Sequence, residues 1–152
     1  MNEAKNTFLS STFWTERIGP TAAIATLDAM KEEKSWEYIS NQGKKIKETW
    51  KHIFSKYHIN VDISGLDPLP TFKCLDTDHN KIKTLITFLM QKKGFLASDV
   101  IYVSTVHDDE VLSKYFAAFE ETIHEIREVF TDIKKFEDYK VAEAYKGFQR
   151  IN

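Results

Sequence analysis

The stretch FLSSTFWTERIGPTAAIA, Phe8 to Ala25, joins a hydroxyl-rich turn to the start of a helix. Hydroxyls crowd into Ser10, Ser11 and Thr12 and return at Thr15. Gly19-Pro20 then opens an apolar run through Ala22, Ala23, Ile24 and Leu27. Proline suits the first turn of a helix, where its missing N–H leaves no bond unmade. Hydroxyls and free backbone amides ahead of a helix form an anion site, because the helix dipole and the unpaired donors both favour phosphate. The same residues also serve plain capping, in which a hydroxyl accepts from an amide of the first turn. From the residues alone, both readings stand for Ser11 and Thr12.

Working outward, the spacing predicts a first helix over about Ile18 to Glu33, with Ala23, Ile24, Leu27 and Met30 on one face. Ser35 caps a second helix carrying Ile39, Gly43, Ile46, Trp50, Ile53, Phe54 and Tyr57 at three- and four-residue steps. Lys44, Lys45, Lys47 and Lys51 fill its other side as a solvated face. Asn60 to Ser64 alternates like a half-buried strand, the turn-rich Gly65 to Pro70 ends it, and Thr71 to Leu75 forms a second strand. Asp78 or Asn80 starts a helix whose Ile82, Leu85, Ile86, Leu89 and Met90 face inward, and Gly94 closes it in the left-handed conformation. Phe95-Leu96 reads as a short strand, Ala97 to Asp99 as a turn, and Val100 to Ser104 as the closing strand. Asp108 caps a final long helix running to Phe130.

The expected fold class is α+β: an antiparallel sheet of about four strands with helices packed on one face. The expected organisation is a leading segment 1–17, a small domain 18–130 and a tail 131–152. The aromatic content of that tail, Phe136, Tyr139 and Tyr145, argues that it packs.

Composition narrows the function. A chain of 152 residues is one domain's worth, with 42% apolar and 29% charged residues, as in ordinary globular proteins. A net charge of −2 offers no nucleic-acid or anionic-membrane surface. Arginine occurs only at Arg17, Arg127 and Arg150, which limits bidentate recognition of carboxylates. Cys74 is the one cysteine, so no internal disulfide forms, and a reducing cytoplasm is the expected location. Neither a signal peptide nor a membrane-length apolar run is legible.

Few other residues suggest chemistry. His107 stands beside Asp108 and Asp109, but one turn cannot close a metal site, and a histidine bonded to the backbone is the favoured reading. His52 and His58 read as surface residues, and His79 and His124 as isolated. Cys74 reads as a buried, inert thiol. Trp14, Glu16 and Arg17 either line a substrate mouth or serve as packing and a surface pair, the second being favoured. With five scattered glycines, a P-loop or dinucleotide fingerprint is excluded.

Two segments carry a family resemblance. SSTFWTERIGPTAAIATLDAM, Ser10 to Met30, resembles the stretch that follows the cofactor lysine in class III pyridoxal-phosphate aminotransferases of the glutamate-1-semialdehyde aminotransferase type. GFLASDVIYVSTVHDDEVLSKYFAAFEETIHEI, Gly94 to Ile126, resembles that family's closing strand, His-containing turn and final helix. The likeness spans most of Asn6 to Phe130, its middle matching in element order alone. The family's commoner wording is a Gly-Thr followed by a short Gly-Asn-Pro turn, whereas Ser11 to Pro20 is longer and bulkier, which marks a subgroup and leaves the substrate open.

The resemblance implies a C-terminal fragment of a fold-type-I enzyme, dimeric, in which Ser11 and Thr12 contact the phosphate of the partner subunit's pyridoxal phosphate (PLP). The Schiff-base lysine and the acid that holds the pyridinium nitrogen would lie upstream, on a large domain. Lys5 lies too near the turn to match that lysine. The implied parent transfers an amino group between a small-molecule donor and a carbonyl acceptor, or shifts it within one molecule, and this chain alone would be inactive. The alternative is a non-enzymatic α+β interaction module or a degenerate gene remnant.

Overall fold

The computed structural model of the chain describes residues 16–145. The chain divides at Ser35–Trp36 into two units. In the first, helix α1 spans Ile18–Glu33, as the periodicity predicts, and ends at Lys34, whose left-handed backbone returns its amide to the Met30 carbonyl. None of the α1 residues is buried: Ile24 and Leu27, on its expected inward face, are 61% and 64% exposed.

The second unit holds α2 (Ser35–Lys56, from Trp36 on), β1 (Val61–Ser64), β2 (Thr71–Cys74), α3 (His79–Lys92), α4 (Asp109–Glu125) and α5 (Arg127–Thr131), then a 3-10 helix Ile133–Tyr139. The apolar stripe of α2 does what its spacing dictates: Ile46, Trp50, Ile53 and Phe54 are buried. They meet Phe72 of β2 and Phe119 of α4 in an aromatic cluster, with Trp50 edge-on to Phe72 at 5.0 Å and Phe54 edge-on to Phe119 at 5.8 Å. Helix α3 adds Ile82, Leu85, Ile86, Leu89 and Met90 to that core.

Local sequence explains the element ends. The Asp78 carboxylate accepts from the amides of Asn80 and Lys81, and Asp108 accepts from Val111, so both act as N-caps. Gly94, at φ 88, closes α3. Its amide bonds the Gln91 carbonyl while that of Phe95 reaches Met90, the paired bonds of a Schellman ending.

The sheet departs from the expected four strands. β1 and β2 alone form a two-stranded antiparallel sheet, in register Val61↔Cys74 through Ser64↔Thr71. Phe72 and Cys74 point into the core while Lys73 faces out, so one face of the pair is covered. Phe95 forms no strand because its amide is committed to closing α3, and Leu96 is 95% exposed.

The expected closing strand is present as an extended segment, residues 99–103, beside β2. Phe72 donates to the Asp99 carbonyl, Ile101 to Pro70 and Val103 to Pro68, one regular antiparallel register about the bridge Thr71↔Val100. Pro68 and Pro70 have no N–H to return, so two of the ladder's bonds are never made.

The final helix is also two pieces rather than one. In a continuous helix the His124 carbonyl would accept from residue 128. Instead it accepts from the Arg127 guanidinium at 2.8 Å; the Ile126 amide still reaches the Thr122 carbonyl at 3.1 Å, but the Val129 amide turns back to the Ile126 carbonyl at 2.9 Å, and the helix breaks at Ile126. In the described part of the tail Phe136 is buried, and Asn80 and Thr84 of α3 bond the backbone of Ala144, but Tyr145, expected to pack, is 96% exposed.

Candidate functional site

The residues singled out for cofactor binding, Ser11 and Thr12, lie outside the described residues, as do Trp14, Lys5 and Arg150. What is described of that region is the helix start they lead into. Glu16 and Arg17 are exposed, and Arg17 is the N-cap of α1 without a side-chain capping bond. Thr21 donates to the Arg17 carbonyl, and Pro20 has no donor, so Ile18 and Gly19 supply the free amides of the first turn.

His107 behaves as a backbone-bonded histidine. Its Nδ1 accepts from the Ser104 amide at 3.1 Å, which folds the turn back on itself. Gln42 of α2, 3% exposed, donates to the His107 carbonyl at 2.8 Å and to the Asp109 carboxylate at 3.2 Å. Lys45 reaches the same carboxylate at 2.7 Å. Hydrogen bonds from Lys45 and Gln42, with the Lys45 charge, hold Asp109 below the usual carboxylate range. The turn 104–109 is thereby pinned to α2.

Beside this turn lies a groove of about 330 Å³ between the 95–102 segment and α4, lined mainly by Phe95, Leu96, Ile101, Tyr102, Val111 and Tyr115, with His107 also on its wall. No lysine, arginine, aspartate or glutamate lines it. Among the described residues no three His, Cys, Asp or Glu side chains converge as a metal site. No described helix is long and apolar enough to cross a membrane.

Reading the sequence as isolated histidines missed a real cluster. His79 Nε2 pairs with Asp99 Oδ2 at 2.9 Å, and His79 Nδ1 accepts from the Cys74 amide at 3.2 Å. Those bonds assign the proton to Nε2. Ser98 donates to the other Asp99 oxygen at 2.7 Å. The cluster ties the end of β2, the start of α3 and the 97–100 loop together. Only the pairing register of 99–103 with β2 brings Asp99 to His79, and that register was not fixed by local pattern. His124 is likewise not isolated, lying against the Tyr57 ring at 5.8 Å. Cys74 is 2% exposed, and burial pushes its thiol up to about 12, with the Asp99 charge adding to the effect. It is inert.

Burial alone would raise the Asp99 carboxyl, but the Ser98 and His79 hydrogen bonds and the Lys83 charge outweigh it, leaving the group below its ordinary range. A depressed carboxylate stabilises the fold above the unfolded-state value, about pH 3.9, and that contribution fades as pH falls through the folded value. Asp99→Asn should therefore lower the melting temperature at neutral pH, with the gap to wild type closing below about pH 4. Melting curves that run parallel across that range would refute the role given to the charge.

These elements, in this order, have the fold of part of a PLP-dependent protein. The match is to the chain in the structure of the PLP internal aldimine form of the FumI protein of Sphingopyxis sp. MTA144, with a TM-score of 0.73 at 16% identity. It covers 86% of this chain and 32% of the FumI chain. This chain thus spans about a third of the length of the protein it resembles. No protein-family model matches it, nor does any curated protein. The groove beside the 104–109 turn is largely apolar and no lysine lines it.

Proposed function

We propose that this chain is the C-terminal small domain of a class III, fold-type-I PLP-dependent aminotransferase or aminomutase. The observation that carries this reading is the fold likeness to a PLP-bound protein over 86% of the chain but only 32% of the neighbour. The resemblance of Ser10 to Met30 to the turn after a cofactor lysine supports it from an independent direction. On this reading the cofactor lysine and the acid facing the pyridine nitrogen belong to an upstream large domain, and PLP, when bound there, acts as the electron sink for amino-group transfer. Two subunits assemble as a homodimer in the cytoplasm. Ser11 and Thr12 then offer hydroxyls to the partner subunit's PLP phosphate, while the first-turn amides and dipole of α1 favour its negative charge.

The test joins this chain to the polypeptide encoded upstream of Met1. The joined protein should carry the visible absorption of bound PLP and exchange amino groups, whereas the 152-residue chain should do neither. Thr12→Ala in the joined protein should weaken PLP retention roughly tenfold, the loss of one hydrogen bond to a charged group, read by dialysis against phosphate buffer. Turnover by the 152-residue chain alone, or an upstream sequence without a lysine-bearing PLP domain, overturns the reading.

A further inference from the structure

A second cavity, of about 190 Å³, opens where the end of α2, the end of β2 and helix α5 come together. His58 stands at φ 56 and lets the Ile59 amide return to the Phe54 carbonyl at 2.9 Å, so the chain leaves α2 directly into β1. Leu75 donates to the Asn60 carbonyl at 3.1 Å, which carries the β1–β2 pairing one step further and sets Asp76 beside Asn60. The helix break at Ile126 starts α5, which adds Arg127 and Phe130 to the lining.

Two opposite charges line this cavity without meeting. Arg127 Nη1 is anchored on the His124 carbonyl at 2.8 Å. Its Nη2 comes no nearer to a carboxylate among the described residues than 3.9 Å, at Glu128, beyond hydrogen-bond reach. Glu128 is itself paired with Lys135. Asp76 meets no cation among the described residues, and its one side-chain partner is the Asn60 amide at 3.4 Å. A guanidinium and a carboxylate that share a small cavity, yet form no ion pair with each other, suit a ligand that carries both signs. Tyr57, Ile59 and Phe130, each half-buried, give the lining its apolar part.

We propose that this cavity binds a free α-amino acid with an uncharged, apolar side chain. The carboxylate of the ligand accepts from Arg127 and its ammonium donates to Asp76, both as charge-assisted hydrogen bonds, while its side chain covers the apolar lining. The volume lies below the ~300–1,000 Å³ of sites for drug-sized ligands, which selects a molecule of amino-acid size. A plain anion would face Asp76, and a plain cation would face Arg127, each a like-charge encounter that a zwitterion avoids. The assignment does not depend on the reading of this chain as a small domain.

The test titrates L-leucine into the 152-residue chain and follows its backbone amide resonances. The shifts should saturate with a Kd of about 1 mM or tighter and map to Asn60, Asp76, Arg127 and their neighbours. Isocaproate, which is leucine without its amino group, and isoamylamine, which is leucine without its carboxylate, should each bind at least ~10-fold more weakly. Asp76→Asn keeps the shape of the side chain and should weaken leucine binding at least ~10-fold while leaving isocaproate binding and the melting temperature unchanged. Should that variant melt earlier, the two analogues still decide the question in the unsubstituted chain. A Kd weaker than about 10 mM, or saturating shifts that map away from these residues, overturns the site. Equal binding of leucine and isocaproate shows that the ammonium is not read, and equal binding of leucine and isoamylamine shows the same of the carboxylate. Either result sinks the proposal.

Discussion

Gly43→Ala should destabilise this chain by about 3 kcal/mol, the upper part of the range for overpacking a filled site. For a chain of this size the melting temperature should fall by roughly 6–12 °C. Helix propensity alone predicts the opposite sign, since alanine in a helix interior is favoured over glycine by roughly 0.5–1 kcal/mol. Geometry decides. A Cβ built on Gly43 would stand 1.6 Å from the Asp67 carbonyl oxygen and 2.5 Å from its carbon, so the 65–70 turn would have to move.

That obstacle is backbone, and no rotamer change relieves it. The turn is also held from α2, because Lys47 donates to the Gly65 carbonyl at 2.7 Å and pairs with the Asp67 carboxylate at 3.0 Å. Displacing it would pull on Pro68 and Pro70, whose carbonyls receive the 99–103 segment. Gly94→Ala is the control. Its Cβ meets open space, leaving only the strain of φ 88, about 1 kcal/mol. A Gly43→Ala protein as stable as wild type would show that the approach of α2 to the turn is not close-packed.

Gly43 also illustrates what local sequence conveys. Its place on the inward stripe of α2 follows from three- and four-residue spacing. The element it touches does not, because Asp67 is brought there by tertiary packing. Helices α1 and α3 and both N-capping aspartates were legible because periodicity and capping are local physics. The sheet was over-read for a definable reason. Val100 to Ser104 has strand composition and lies beside β2, yet two prolines on the facing turn remove the donors that would complete a ladder.

The His79–Asp99 pair was missed because it depends on that long-range register rather than on neighbours in sequence. For the candidate site, Ser11 and Thr12 were reached from the hydroxyl-rich turn ahead of α1, with the resemblance favouring phosphate over capping, and they fall outside the described residues. The groove beside Tyr102 carries no motif. Its one signal is a pair of exposed apolar side chains, Leu96 and Tyr102, in a stretch too short of strand partners to bury them.

Trp50→Ala should cost about 3–5 kcal/mol, as large-to-small changes at buried aromatics do. Native stabilities of about 5–15 kcal/mol leave little margin for such a loss, so the variant should melt far earlier or populate unfolded chains at room temperature. Trp50 is fully buried at 0% exposure and sits where α2, β2 and α4 meet, against Phe72 and Phe119 at 5.0 and 6.0 Å. It also has a polar duty: its indole N–H donates to the Tyr115 hydroxyl at 3.0 Å. Burial pushes that phenol upward, so it stays protonated and accepts the bond as a neutral group.

Packing and hydrogen bonding separate by comparison of variants. Trp50→Phe keeps an aromatic ring in the site but removes the donor, and should cost about 1–3 kcal/mol. Adding Tyr115→Phe removes the orphaned hydroxyl as well, so the double variant should recover about 1 kcal/mol relative to the sum of the single changes. Urea unfolding of the four proteins measures both terms. Strict additivity would mean that the indole–phenol bond contributes nothing beyond the packing of its rings. A loss below about 1 kcal/mol for Trp50→Ala would contradict the central place given to this residue, because only a site able to collapse onto its neighbours escapes the cavity term.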